Sequence, residues 1–288
     1  MNNILKTMLD KYNPQTIIER DNAIKEIIQE IALSGLSHAG FFEKAAFYGG
    51  TCLRIFYGLD RFSEDLDFAL YSNVNDFNIE DYFPRLIKEF ESYGINVEIT
   101  HKSKSVNTMV ESAFINSNSL TLMLEFFPNL AESKELVFNQ KTKIKFEIDI
   151  GNPCGGTIER KYMLLPSPYE ACVFSESTLF SGKLAALLCR NYKNNVKGRD
   201  YYDYLFYVSK GAKINLKYLE EKLKKNLKIE EAETLTLDAV KALLKDRFIS
   251  VDYNMAINDV SRFINNTEKL KLWSSDLFIS TLENLKAE

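Results

Sequence analysis

Cysteine and histidine are scarce, with four of one and two of the other in 288 residues. Cys52, Cys154, Cys172 and Cys189 form no C-x-x-C pair, and only His38 and His101 could join them. A zinc site is therefore not expected, and the cysteines read as reduced, buried thiols. A basic surplus is missing too: the formal net charge is −4 and the pI near 5.5. A protein that coats nucleic acid without specificity would look otherwise, so any such contact must come from a local patch. No apolar run approaches the roughly 20 residues of a membrane span. The opening MNNILKTMLDKYNPQ lacks the apolar stretch and cleavage site of a signal peptide. Repeats and low-complexity tracts are absent as well. These absences set the expectation of a cytoplasmic globular protein with no membrane contact.

What the chain does contain is core material, 45% apolar and 12% aromatic residues, enough for one large domain or two modest ones. Apolar spacing at Ile17, Ile24, Ile27, Ile28 and Ile31 predicts a helix over 16–34. KAAFY (44–48) reads as a strand ending in glycines, TCLRIFY as a short helix, and EDLDFAL as a strand. A helix follows over 79–93, with Pro84 acceptable only in its first turn. INVEIT, the stretch 108–115, SLTLMLEFF and KTKIKFEIDI (141–150) supply further strands. Glycines and prolines between 153 and 168 mark a connection. From about 175 onward alternation gives way to helical patterns. The expected fold is α+β: a mixed, mostly antiparallel sheet with flanking helices over 1–174, then an all-helical domain over 175–288.

Chemistry concentrates in FYGGTCLRIFYGLDRFSEDLDFAL, residues 47–70. On a strand, residues i and i+2 project from one face, so Asp65 and Asp67 can reach one point above the sheet. Two carboxylates so close repel unless a cation neutralises them, and Mg²⁺ suits hard oxygen ligands while leaving positions for phosphate. Against this stands the plain reading of D-x-D as a solvated surface pair. Gly49-Gly50-Thr51 shifts the balance. Glycines allow close backbone approach, a helix opening at Thr51 aims free N–H groups at an anion, and the threonine hydroxyl can cap or touch phosphate. Asp149 on its strand is the candidate third carboxylate of a two-metal site, and Glu147 on the same face competes for that place. Lys183 opens the run GKLAALLCR. Four basic residues and no acidic one lie between Arg190 and Arg199, a local positive patch. Taken alone, Lys183 reads as a solvated helix residue, and Asp200 and Asp203 as favourable first-turn charges.

GGTCLR, RFSEDLDF, KIKFEIDI, GKLAALLCR and KGRDYYDY, in this order and spacing, resemble the AbiEii/AbiGii family of nucleotidyltransferase toxins. That family lies within the DNA-polymerase-β-like nucleotidyltransferase superfamily, and the resemblance covers most of the chain from about Ile17. It implies a nucleotidyltransferase fold for the first part. By the same resemblance Gly49, Gly50 and Thr51 match the nucleotide-phosphate turn, Ser63 joins the nucleotide-binding set, and Asp65 and Asp67 match the metal pair. Asp149 falls where a third metal carboxylate is expected. Lys183 matches a lysine that neutralises the triphosphate or the developing charge, and Asp200 an aspartate that orients Lys183 or the incoming group, so the helical domain contributes both to the site.

The resemblance further implies Mg²⁺ or Mn²⁺, a nucleoside triphosphate substrate, an RNA acceptor such as a tRNA 3′ end, a growth-arrest role in phage defence, and a cognate antitoxin. Two other readings compete: nucleotidyl or phosphate transfer to a small molecule or protein, and an inactive binding module.

Overall fold

The computed structural model describes residues 3–71, 77–101, 119–127, 142–149, 155–190, 196–226, 228–230, 232 and 234–288. The strand expected over 108–115 lies outside these residues. The chain begins with α1 (Asn3–Tyr12) and α2 (Ile17–His38). Thr16 caps α2 in a capping box with Glu19, and Ile24, Ile27, Ile28 and Ile31 are buried along it. Next come β1 (Ala45–Tyr48), α3 (Gly49–Tyr57) and β2 (Leu66–Leu70). A 3₁₀ turn over Ile79–Tyr82 leads into α4 (Phe83–Ser92), which carries Pro84 in its first turn, where a missing N–H costs nothing. The strands β3 (Asn96–His101), β4 (Ser119–Phe127) and β5 (Thr142–Asp149) follow.

Two strands then appear where the sequence reads as a connection, β6 (Ile158–Met163) and β7 (Tyr169–Phe174). They complete a mixed seven-stranded sheet in the order β3-β4-β5-β2-β1-β7-β6. Four of its pairings are antiparallel; β2 with β5 and β1 with β7 are parallel. The fold is therefore the mixed, mostly antiparallel α+β architecture that the patterning predicts, with β7 in an inner position that it does not.

Alternation along β2 decides which face carries chemistry. Leu66, Phe68 and Leu70 are buried on one side, where Phe68 packs against Phe41, Phe47 and Phe146 with ring centroids 4.6–5.0 Å apart. Each such aromatic contributes on the order of 2–3 kcal/mol of burial. Asp67 takes the opposite side.

The rest is helical: α5 (Glu176–Cys189), α6 (Gly198–Lys210), α7 (Leu216–Lys225), α8 (Leu237–Ser250), α9 (Tyr253–Ser261) and α10 (Ser275–Ser280). The exception is a parallel pair of two-residue strands, β8 (Lys213–Ile214) and β9 (Lys286–Ala287). Tyr201, Tyr204, Phe248 and Phe278 form the aromatic centre of this part. Helix α5 packs against α3, α6 and α7, which brings the helices over the polar face of β2 and β5.

Candidate active site

Gly49 takes a φ of +82°, a backbone conformation that glycine alone adopts freely. A side chain there would also place its Cβ 2.3 Å from Asp67 Oδ2. Gly50 is equally confined, since a Cβ would meet Ser63 Oγ at 2.8 Å and Arg61 Nη2 at 2.9 Å. The helix opens at Gly49 rather than at Thr51, and no side chain caps its first turn. Its leading amides therefore border the cleft with the partial positive charge of a helix start. Thr51 is fully buried and donates its hydroxyl to the Asp65 carbonyl at 2.5 Å. It ties the glycine turn to the aspartate strand. Behind that strand, the Ser63 and Glu64 carbonyls both accept from Gln29 Nε2 on α2, at 3.1 and 2.9 Å.

Asp65 immediately precedes β2 and Asp67 lies on it, both half-buried. Burial pushes the Asp67 carboxyl up to about 7; Asp65 and Glu147 add to the shift, and Lys145 and Lys183 oppose it. Burial likewise raises Asp65, with Lys145 and Arg199 pulling against it. Neither aspartate has an ion pair among the described residues. In the parallel register Asp67 sits opposite Glu147, and Asp149 sits opposite Ala69. Glu147, the competing third carboxylate, is thus the one beside the aspartate pair, and it binds Lys145 at 2.6 Å. Asp149 lies two residues further along, where its Oδ2 is 3.8 Å from Lys222 Nζ on α7. Among the described residues, no three His, Cys, Asp or Glu side chains are close enough to form a ready metal cage.

Lys183 enters from α5. Its ammonium lies 2.9 Å from Asp200 Oδ1 and 2.8 Å from Asp203 Oδ2, so two aspartates of α6 hold it. They are three residues apart on one helix face. Arg190 binds the other oxygen of Asp200. Arg61, also buried, grips Asp203 with both arms at 2.6 and 2.7 Å. Burial alone would raise the Asp203 carboxyl, but Arg61 and Lys183 outweigh it and hold it below its usual range. The sequence reading includes Asp200 in the site, takes Asp203 only as a favourable first-turn charge, and passes over Arg61. The spacing of Asp200 and Asp203 was the available signal, whereas nothing local marks Arg61. Of the basic patch over 190–199, Lys193 lies outside the described residues.

The glycine turn, Asp67, Glu147, Asp149 and Lys183 line one cleft of about 280 Å³. Two half-buried carboxylates without an ion pair among the described residues, one raising the other's proton affinity, fit a hard divalent cation. Magnesium commonly binds through one or two carboxylates plus substrate phosphates, so no three-carboxylate cage is required. Anion-seeking amides and a lysine share that cleft, which makes it suited to a metal-bound polyphosphate.

No curated protein matches the chain. Among solved structures, the chain is similar in fold to MenT4, a nucleotidyltransferase toxin from Mycobacterium tuberculosis H37Rv. The TM-score is 0.50 at 14% identity, covering 98% of this chain and 90% of that one. It is also similar to JHP933 from Helicobacter pylori, with a TM-score of 0.49 at 18% identity over 91% of this chain and 94% of that one. No described helix is long and apolar enough to cross a membrane. A model of the family described as nucleotidyl transferase AbiEii toxin, Type IV TA system, matches residues 31–278, and the chain belongs to that family.

Proposed function

We propose that the chain transfers a nucleotidyl group from a nucleoside triphosphate to an acceptor hydroxyl, with RNA such as a tRNA 3′ end as acceptor. One observation carries this reading: Asp67 and Lys183 line one cleft with the uncapped start of α3. Asp65 and Asp67 are the residues that would hold Mg²⁺ or Mn²⁺, and the ion would neutralise phosphate charge as the α-phosphate is attacked. The amides of Gly49 and Gly50 bind phosphate oxygens, Thr51 ties down the turn that presents them, and Ser63, whose hydroxyl lies against Gly50, joins them in binding the nucleotide. Lys183, aimed by Asp200 and Asp203, binds the triphosphate and stabilises charge developing on pyrophosphate. Asp149, on the cleft wall, is assigned to take the proton of the acceptor hydroxyl. Arg190 and Arg199, each partly exposed, are the basic side chains assigned to meet an RNA backbone.

In the cell this chemistry would make the protein the growth-arresting member of a toxin–antitoxin pair active in phage defence. The test is incubation of the purified chain with each labelled triphosphate, Mg²⁺ and total tRNA. Label should enter RNA, and Asp67→Asn and Lys183→Ala should abolish incorporation while thermal unfolding stays cooperative. Label in a small molecule or in protein, with RNA untouched, overturns the acceptor. No transfer to any acceptor, and no growth arrest on induction, overturns the enzyme.

A further inference from the structure

The acidic side of the cleft, with Asp65 just ahead of β2, brings together two kinds of carboxylate. Asp65 and Asp67 have no ion pair among the described residues, whereas Glu147 and Asp149 each face a lysine. The two lysines are placed differently. Lys145 shares a strand with Glu147 and both are partly open to solvent. Lys222 reaches Asp149 from α7, and there both side chains are largely covered, at 14% and 10% exposure.

Several contacts make Lys222 a placed residue. Its ammonium sits 5.3 Å from the centre of the Tyr218 ring, one helical turn earlier on the same face. Tyr218 begins its turn under the Asn215 cap, whose Oδ1 accepts from the Tyr218 N–H at 2.9 Å. Asn215 in turn donates to the Gly155 carbonyl at 3.0 Å, and Ser181 on α5 donates to the Asn215 carbonyl at 3.0 Å. The lysine is thus referenced to α5, the helix that carries Lys183.

We infer that Lys222 occupies the position of a second cation at Asp149, so that the cleft takes a single divalent ion, at Asp65 and Asp67. This rests on the metal-dependent reading above and deepens it. A fixed ammonium beside Asp149 repels a divalent ion there and satisfies the carboxylate that a second ion would need. Asp149 then acts on the acceptor without binding metal.

The experiment is titration of the full chain with Mn²⁺ alone, following free Mn²⁺ by electron paramagnetic resonance, with thermal unfolding of every variant in parallel. Wild type should bind one Mn²⁺. Asp67→Asn should weaken that ion by more than about tenfold. Asp149→Asn should keep one ion, with affinity within about twofold of wild type, although turnover falls. Lys222→Met should add a second ion that disappears in the double variant with Asp149→Asn, while Lys222→Arg keeps one. Two ions on wild type, one of them lost in Asp149→Asn, would overturn the inference and leave the enzyme reading intact. No Mn²⁺ on wild type at millimolar concentration would overturn both. Should Lys222→Met fail to fold, Asp149→Asn decides alone: an unchanged ion supports the assignment, and a lost ion refutes it.

Discussion

Asp203 is held by two cations that enter from different parts of the chain, and the two have separable consequences. Arg61 is buried and makes a two-armed bond to Asp203. Lys183 touches the same carboxylate while facing the cleft. Removing one partner of a buried pair leaves an uncompensated charge, typically a loss of about 3–5 kcal/mol. Arg61→Met should therefore destabilise the chain by about 3 kcal/mol or more, because the buried Asp203 loses a two-armed partner and keeps only its contact with Lys183. Lys183→Met leaves Asp203 with Arg61 and Asp200 with Arg190, so it should stay within about 2 kcal/mol of wild type. Urea unfolding of both variants, beside nucleotidyl transfer, checks this. The arginine variant should lose stability, and the lysine variant activity alone. Equal destabilisation would mean that Lys183 is structural. The asymmetry also explains what residue-level reading of the sequence can find. Asp65, Asp67 and the glycine turn lie within 19 positions and declare themselves by spacing. Arg61 and Asp203 are 142 positions apart, and only the folded chain pairs them.

Among the elements, α1 covers a group that ought to be charged and is not comfortable being so. Glu30 on α2 lies beneath α1, where Tyr12 donates to its Oε1 at 3.2 Å. Burial, with Glu26 adding to it, pushes the Glu30 carboxyl up to about 7, against the pull of Lys11, the Tyr12 hydroxyl and Arg54. A folded-state value above the unfolded one means that the folded chain holds this proton more tightly. The stability it contributes is fully present below about pH 4.5 and is lost as pH rises through about 7, amounting to at most about 3 kcal/mol. Asp67, raised to about 7, acts with the same sign in the same window, so the test must be a comparison. Glu30→Gln should flatten the fall in unfolding free energy between pH 5 and 8 relative to wild type, and the gain should be larger at pH 8. A parallel fall in both would remove Glu30 from the account.

The strands show the same dependence on context. Half-buried β5 alternates and is legible, with Ile144, Phe146 and Ile148 inward and Lys145 and Glu147 partly exposed. Strand β7 lies between β1 and β6, so Tyr169, Ala171, Cys172, Val173 and Phe174 are all buried. With Pro166 and Pro168 just ahead of it, such a run shows no two-residue period, and reading it as a connection follows from that.

Across the whole molecule, the question is whether the boundary near residue 174 separates parts that can live apart. It falls between β7 and Ser175, the cap of α5. The bonds that cross it argue for dependence. Arg61 needs Asp203, the Phe62 N–H donates to the Phe263 carbonyl at 2.9 Å, and Tyr202 donates to Asp60 at 2.8 Å. A single apolar core includes Leu53 and Phe174 on one side of the boundary and Leu179 and Tyr218 on the other. A chain ending at residue 174 would expose that surface and leave Arg61 without its counter-charge, the kind of loss a domain of marginal stability does not survive. Expressed alone, residues 1–174 should show no cooperative thermal transition and no triphosphate binding, and adding residues 175–288 in trans should restore neither. A sharp transition with dispersed amide resonances would show that the sheet folds unaided. The charges that hold Lys183 would then be an attachment made after folding, and Arg61 would have to find its partner in water.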